Sequence, residues 1–232
     1  MKEQGYIIEF EGTDGSGKET QTKLIVERLK KEYKDKEVFI QDFPNYKSES
    51  AGPVNMYLHG ELGEHANDLD AYQVSPLYAA DRLCTYAKKD GFGEAYHRGA
   101  LVILDRYTGS NLIHQACKIQ DITEREKFLK WSTELEYNFM KLPKPDLVIF
   151  LDMTVEASQK LREERKDLKV GGAKDIHEQD KTHMTKAYAA GVYVANKYNW
   201  EVVHCVRADK SIKTIEEIHE EIYNIIIEKI EK

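Results

Sequence analysis

Residues 10–21 read "FEGTDGSGKETQ", and how this stretch is read decides the fold. GxxxxGK lies between an apolar run, "YIIEF" (6–10), and a segment with helical spacing at Ile25, Leu29 and Tyr33. Gly12, Gly15 and Gly17 allow backbone that other residues adopt only at a cost. Between a strand and a helix, the N–H groups of such a loop converge on a phosphate. The helix N-terminus adds partial positive charge there, and Lys18 is placed to reach the terminal phosphates of a nucleotide. Thr13, Asp14, Ser16 and Thr20 complete the candidate donor loop. One position departs from the pattern: Glu19 stands where a Ser or Thr hydroxyl usually holds magnesium. A carboxylate in the first helical turn suits the helix dipole, yet it repels phosphates if it faces them. Glu19 is therefore expected to point away. Thr20 lies about 100° further round the helix and cannot take over the missing hydroxyl's place.

Working outward, "EVFIQDF" (37–43), "LVILD" (101–105), "PKPDLVIFLD" (143–152) and "EVVHCV" (201–206) read as further strands. Pro44 and Pro53 bracket a loop. Helices are expected at about 18–33 and 71–88, twice between 106 and 142 (Phe128, Trp131 and Leu135 recur in the second), around Met184–Ala195, and at Ile215–Ile226. Strands alternating with helices imply a mostly parallel sheet covered on both faces. Neither a repeat nor a linker interrupts the chain, so residues 1–232 are expected to form one domain. Ligands of such sheets sit beyond the carboxyl ends of the strands. Three motifs lie there: the glycine loop, "DRY" at 105–107, and Asp152.

Composition narrows the function classes. The chain has 232 residues, 41% apolar, with a formal net charge of −7 and a pI near 5.7. That balance argues against coating nucleic acid or an anionic membrane. Cys84, Cys117 and Cys205 are scattered without a CxxC, which reads as three buried thiols in a reducing compartment. The N-terminus is too short and charged for a signal peptide, and "LVIFL" (147–151) is far short of a membrane span. A soluble cytoplasmic protein is the expectation.

The stretch "FEGTDGSGKETQ", with "FP" at 43–44, "YAADR" at 78–82, "DRYTGSNLIHQ" at 105–115 and "PDLVIFLD" at 145–152, resembles the thymidylate kinase family. The motifs run in the family's order over about two thirds of the chain. The resemblance implies a P-loop α/β/α fold with a five-stranded parallel sheet. It implies phosphoryl transfer from Mg2+-ATP to dTMP, giving dTDP and ADP, and a homodimer. Arg106 is thereby assigned to the acceptor phosphate, for which an arginine fork is suited; a surface pair with Asp105 is the plainer alternative. Asp14 is placed near the metal and the sugar 3′-hydroxyl, or serves as a turn residue. Asp105 is the second metal candidate. Asp152 either helps place the metal or caps the following helix.

Thymine recognition needs a flat apolar surface and edge hydrogen bonds. By resemblance Tyr78 stacks on the base, Arg82 donates to a base carbonyl, and Asn111 offers a donor beside an acceptor. Each has a plainer reading: core packing for Tyr78, an exposed helix charge for Arg82, a helix cap for Asn111. Phe43 walls the base or sugar, and Ser110 and Gln115 complete the motif. His114 departs from the family, which often carries tyrosine there to crowd a ribose 2′-hydroxyl.

The charge-dense segment 160–181, with Gly171–Gly172, reads either as a lid over ATP or as a solvated helix. Family members with Gly at the position of Gly15 tend to keep their catalytic arginine in the lid. That implicates Arg165 as catalytic and Arg162 as a second ATP contact, with Lys169 and Lys174 in reach of phosphates. Two rival readings remain: another nucleotide or nucleoside kinase, and a non-catalytic P-loop switch.

Overall fold

A computed structural model describes residues 4–63, 65, 68–166 and 181–231; the side chains of 164–166 and 181 fall outside it. Five strands form one parallel sheet in the order β2-β3-β1-β4-β5: β1 (Tyr6–Glu11), β2 (Val38–Asp42), β3 (Leu101–Asp105), β4 (Leu147–Asp152) and β5 (Glu201–His204). The register pairs Phe10 with Asp105 on one side of β1 and Glu11 with Phe150 on the other. The ends of β1 and β3 therefore lie side by side, which brings the glycine loop beside the "DRY" turn. This is the P-loop α/β/α arrangement expected from the sequence.

Alternation along β1 sorts the core into two layers. Ile8 and Phe10 pack with Ile25 and Leu29 of α1 (Lys18–Glu32) and with Ile218, Ile222 and Ile226 of α9 (Ile215–Ile230). On the opposite face, Ile7, Val102 and Leu104 pack on Phe92 and Ala95 of α4 (Phe92–His97). There too, Phe150 meets Ile113 of α5 (Thr108–His114) and Ala187 of α8 (Lys181–Lys197). These runs are buried on both faces, as parallel strands between helical layers must be.

Several boundaries differ from the sequence reading, each for a local reason. The loop between Pro44 and Pro53 ends early, because Pro53 opens α2 (Gly52–Leu58), where a missing N–H costs nothing. Helix α4 carried no recognisable period. β4 begins only after Pro145, and β5 stops at His204 because Val206 pairs antiparallel with Ile212 instead. Helix α3 (Ala71–Ala87) starts on a reciprocal cap: the Asp70 carboxylate accepts from the Gln73 N–H at 2.8 Å, and Gln73 Oε1 accepts from the Asp70 N–H at 2.9 Å. Helix α6 (Ile122–Thr133) widens into a π-helical turn, Glu134–Phe139. The wider turn shifts the register, so Glu136 is buried where 3.6-residue spacing expects Leu135. Of the cysteines, Cys117 and Cys205 are buried but Cys84 is exposed, against expectation. Among the described residues no helix is long and apolar enough to cross a membrane. Of the expected lid, 160–166 ends α7 (Val155–Lys166); Gly171–Gly172, Lys169 and Lys174 lie outside the described residues.

Candidate active site

Gly17 caps α1 in the left-handed region at φ +91°, so the loop turns directly into the helix. Lys18 is buried, and its ammonium donates to the carbonyls of Gly12 at 2.8 Å and Thr13 at 3.0 Å. Burial, helped by the charge of Arg106, lowers the Lys18 ammonium to a pKa of about 8. The hydroxyls of Thr13 and Ser16 are buried without a hydrogen-bond partner in the described structure. Buried polar groups normally have partners, so this is a cradle built for a guest. Glu19 turns outward: it is exposed and pairs with Lys23 at 2.6 Å. Thr20 is half-buried.

A second helix closes on the loop. A Cβ at Gly15 would lie 2.9 Å from Arg162 Nε of α7, so the arginine occupies the space a side chain would need. The Ser158 hydroxyl donates to the Asp14 carbonyl at 3.2 Å. The Arg165 side chain lies outside the described residues.

Arg106 joins the loop to the neighbouring cavity. It follows β3 with φ +66°, strained backbone for a non-glycine residue, and its N–H bonds the Phe10 carbonyl at 3.0 Å. Its guanidinium pairs with Asp14 and lies 3.0 Å from His114 Nε2. It is thus no surface pair, and its partner is Asp14 rather than Asp105. Burial alone would raise the Asp14 carboxyl, but Arg106 and Lys18 more than reverse that and hold it well below the usual carboxylate range. Burial raises Asp105 instead.

The cavity, about 90 Å³, is lined by Phe43, Tyr78, Arg82, Arg106, Ser110, Asn111, His114 and Gln115 together with Asp14. Every residue expected to bind the acceptor is therefore in one place. Pro44, Tyr46 and Leu58 line it too; of these, Tyr46 and Leu58 carried no motif. Arg82 is not an exposed helix charge. It is 1% exposed and forms a two-pronged pair with Glu136, Nε at 2.6 Å and Nη2 at 2.7 Å. Only its Nη1 keeps no protein partner among the described residues. Asn111 also donates to Glu136, at 3.0 Å, and to the Ser75 carbonyl at 3.2 Å. That commits its N–H groups to protein and leaves its carbonyl oxygen, so it offers an acceptor alone. Gln115 Oε1 is buried and unpartnered. Tyr78 is half-buried and meets Tyr57 edge to face, 6.4 Å between centroids. Asp81 fastens the loop after Phe43 to α3 by accepting from the Asn45 N–H at 2.8 Å and the Ser50 hydroxyl at 2.5 Å. Asp152 neither caps α7 nor stands open. It accepts from the Tyr188 hydroxyl at 2.8 Å and meets His204 Nδ1 at 2.7 Å, and Thr154 Oγ1 takes the cap instead, 3.3 Å from the Ala157 N–H.

A phosphate cradle at the end of β1, with its lysine, and a polar cavity beside it define a P-loop nucleotide-binding protein with a separate site for a second ligand. The family model described as "Thymidylate kinase" matches residues 10–222. The thymidylate kinase of Mycobacterium tuberculosis is 31% identical over 177 residues, 75% of this chain and 78% of that one. That of Exiguobacterium sp. is 26% identical over 234 residues, 98% and 97% of the two chains. The solved thymidylate kinase of Candida albicans superposes with a TM-score of 0.70 at 22% identity, covering 98% of this chain and 93% of that one, and so supports the fold. The chain belongs to the thymidylate kinase family.

Proposed function

We propose that the chain transfers the γ-phosphoryl group of ATP to dTMP, giving dTDP and ADP. The observation that carries this reading is Arg106, whose guanidinium touches Asp14 of the donor loop and His114 of the acceptor cavity at once. A phosphate bound by Arg106 lies between the two sites, where phosphoryl transfer is mainly a matter of position and neutralised charge. No general base is required, since the attacking phosphate oxygen is ionised at neutral pH. The loop N–H groups, the start of α1 and Lys18 hold the donor phosphates. Arg162 covers the loop from α7 and adds positive charge there; the catalytic role expected of Arg165 stands as a proposal from the family resemblance.

The base pocket favours thymine on chemical grounds. The free Asn111 carbonyl accepts from the N3–H of thymine, and Arg82 Nη1 donates to a ring carbonyl. Cytosine presents a bare ring nitrogen and an amino group at those points. Tyr78 and Phe43 supply the apolar faces, worth about 1–3 kcal/mol for a stacked base.

Asp14 and Asp105 fit Mg2+, a hard cation that binds through one or two carboxylates and otherwise keeps water and substrate oxygens. Among the described residues no three acidic, His or Cys side chains form a metal site by themselves. When bound, Mg2+ neutralises charge on the transferring group. The same reading places the enzyme in the cytoplasm as a homodimer, with Met56, Tyr72 and Ile122 among the large apolar side chains left exposed.

An ADP-release assay with Mg2+-ATP and dTMP, dUMP, TMP or dCMP tests the proposal. dTMP is expected to turn over best and dCMP at least about a hundredfold less efficiently, as a site built to hydrogen-bond one edge rejects its opposite. ATP binding without dTDP formation would leave only a nucleotide switch.

A further inference from the structure

Two acidic side chains on β1 take no part in holding either phosphate. Glu9 is 1% exposed and Glu11 0%, and their spacing of two puts both on the same face of the strand. Both hold the start of α5. Glu9 Oε1 accepts from the Gly109 N–H at 2.7 Å. Glu11 Oε1 accepts from the Tyr107 N–H at 3.2 Å, and the Ser110 hydroxyl donates to Glu11 at 2.8 Å. Gly109 makes the close approach possible: a Cβ there would lie 2.8 Å from Glu9 Oε1 and 3.1 Å from Glu11 Cγ. Arg106 immediately precedes this clamp. Its strained backbone persists only because its surroundings hold it. The Phe10 carbonyl fixes its own N–H, and Glu11 fixes that of the next residue.

The second oxygen of Glu9, Oε2, is buried with no hydrogen-bond partner. An ionised carboxylate in that state is too costly to persist. The charged and titratable groups around it are Glu11 on β1, Arg82 on α3, Tyr107 after β3, and Glu136 and Tyr137 on the π-helical turn. Burial first, and the charge of Glu11 second, push the Glu9 carboxyl well up. A proton on Glu9, donated to Glu11, removes the orphaned oxygen.

We propose that Glu9 and Glu11 are positioning residues for the acceptor phosphate: a carboxyl pair sharing one proton that sets the start of α5, and with it the Arg106 guanidinium. The charge of Glu11 already acts on Arg106; a second negative charge beside Glu11 would add to that pull and compete with the incoming phosphate, whereas a neutral Glu9 leaves the guanidinium available. The proposal rests on the dTMP kinase reading for the identity of the acceptor.

The test compares Glu9→Leu, Glu9→Gln and Glu11→Gln by the KM for dTMP, the KM for ATP and the melting temperature. Glu9→Leu and Glu11→Gln are each expected to raise the dTMP KM about tenfold or more, the scale of a lost hydrogen bond to a charged group, while leaving the ATP KM within about twofold. Glu9→Gln, shaped like the neutral acid, raises the dTMP KM far less than Glu9→Leu does. Infrared difference spectra of the wild type show a protonated-carboxyl carbonyl stretch at neutral pH that Glu9→Gln lacks. A purely structural pair would lower the melting temperature without separating the two KM values. That result, equal effects of the two Gln variants, or absence of the carboxyl band overturns the proposal. If the wild type makes no dTDP, the functional reading fails by itself, and calorimetry with inorganic phosphate decides the pair. Weakened phosphate binding in Glu11→Gln but not Glu9→Gln supports it; unchanged binding in both overturns it.

Discussion

Arg82 and Glu136 form a two-pronged ion pair in the interior, their side chains 2% and 1% exposed. Breaking such a pair leaves an unpaired buried charge, at a cost of about 3–5 kcal/mol. Glu136→Ala is therefore expected to destabilise the protein by that amount in urea unfolding. It also releases the Asn111 amide, so discrimination between dTMP and dCMP falls with it. A loss below about 1 kcal/mol would mean the pair is far more solvated than its burial implies.

Arg106→Ala removes the charge shared by the two sites. Truncating one member of a buried charge pair costs about 2–5 kcal/mol, so the KM for dTMP is expected to rise at least thirtyfold or so. ATP binding, measured by calorimetry without acceptor, changes far less. Intact dTMP affinity in this variant would remove the central support for the functional reading.

The pKa of Lys18, about 8 in the free protein, makes donor binding pH-dependent. Phosphates bind the ammonium, so the Lys18 contribution to ATP affinity is full below about pH 8 and falls as the pH rises through and above it. Stability of the nucleotide-free protein moves the other way. A folded-state value below the ordinary lysine value means the unfolded chain holds the proton more tightly across that interval. Relative to Lys18→Met, the wild type gains stability between pH 8 and the ordinary lysine pKa. ATP titrations and melting curves at stepped pH check both signs.

Glu19 faces solvent and Lys23, not the cradle. Exposed helical pairs of this kind contribute a few tenths of a kcal/mol. Glu19→Thr is expected to keep or raise turnover at saturating Mg2+ and to change the melting temperature little. Abolished activity would show that the carboxylate serves the metal.

His114 lines the acceptor cavity beside Arg106, at the position where the family resemblance implies tyrosine. His114→Tyr enlarges the side chain and crowds the sugar. The ratio of kcat/KM for dTMP over TMP should rise by about tenfold, the scale of a steric change in a pocket. An unchanged ratio would place deoxyribose selection elsewhere.

The sheet and the cradle were legible because both are written locally, as apolar runs of strand length and as glycines at fixed spacing. The acceptor residues were legible only through motifs, since Phe43, Tyr78 and Asn111 come from separate segments that the β3–α5 turn and α3 bring together. Glu136 was illegible because the π-helical turn breaks the spacing on which the reading of α6 depended. Glu9 and Glu11 carry a usable signal in the sequence: two acids at alternate positions of a strand covered on both faces must lie inside together. The commitment of the Asn111 amide to Glu136 followed from no pattern, since it depends on the tertiary position of a residue 25 positions away.

The packing of Arg162 over Gly15 constrains what position 15 can accept. One volume above the cradle is available for an arginine, and here it is filled from α7. A side chain introduced at position 15 evicts the occupant before offering anything in return, and φ +82° penalises it as well. Moving an arginine from helix to loop is therefore a paired change: a guanidinium at position 15 finds room only once the α7 side chain has vacated the volume.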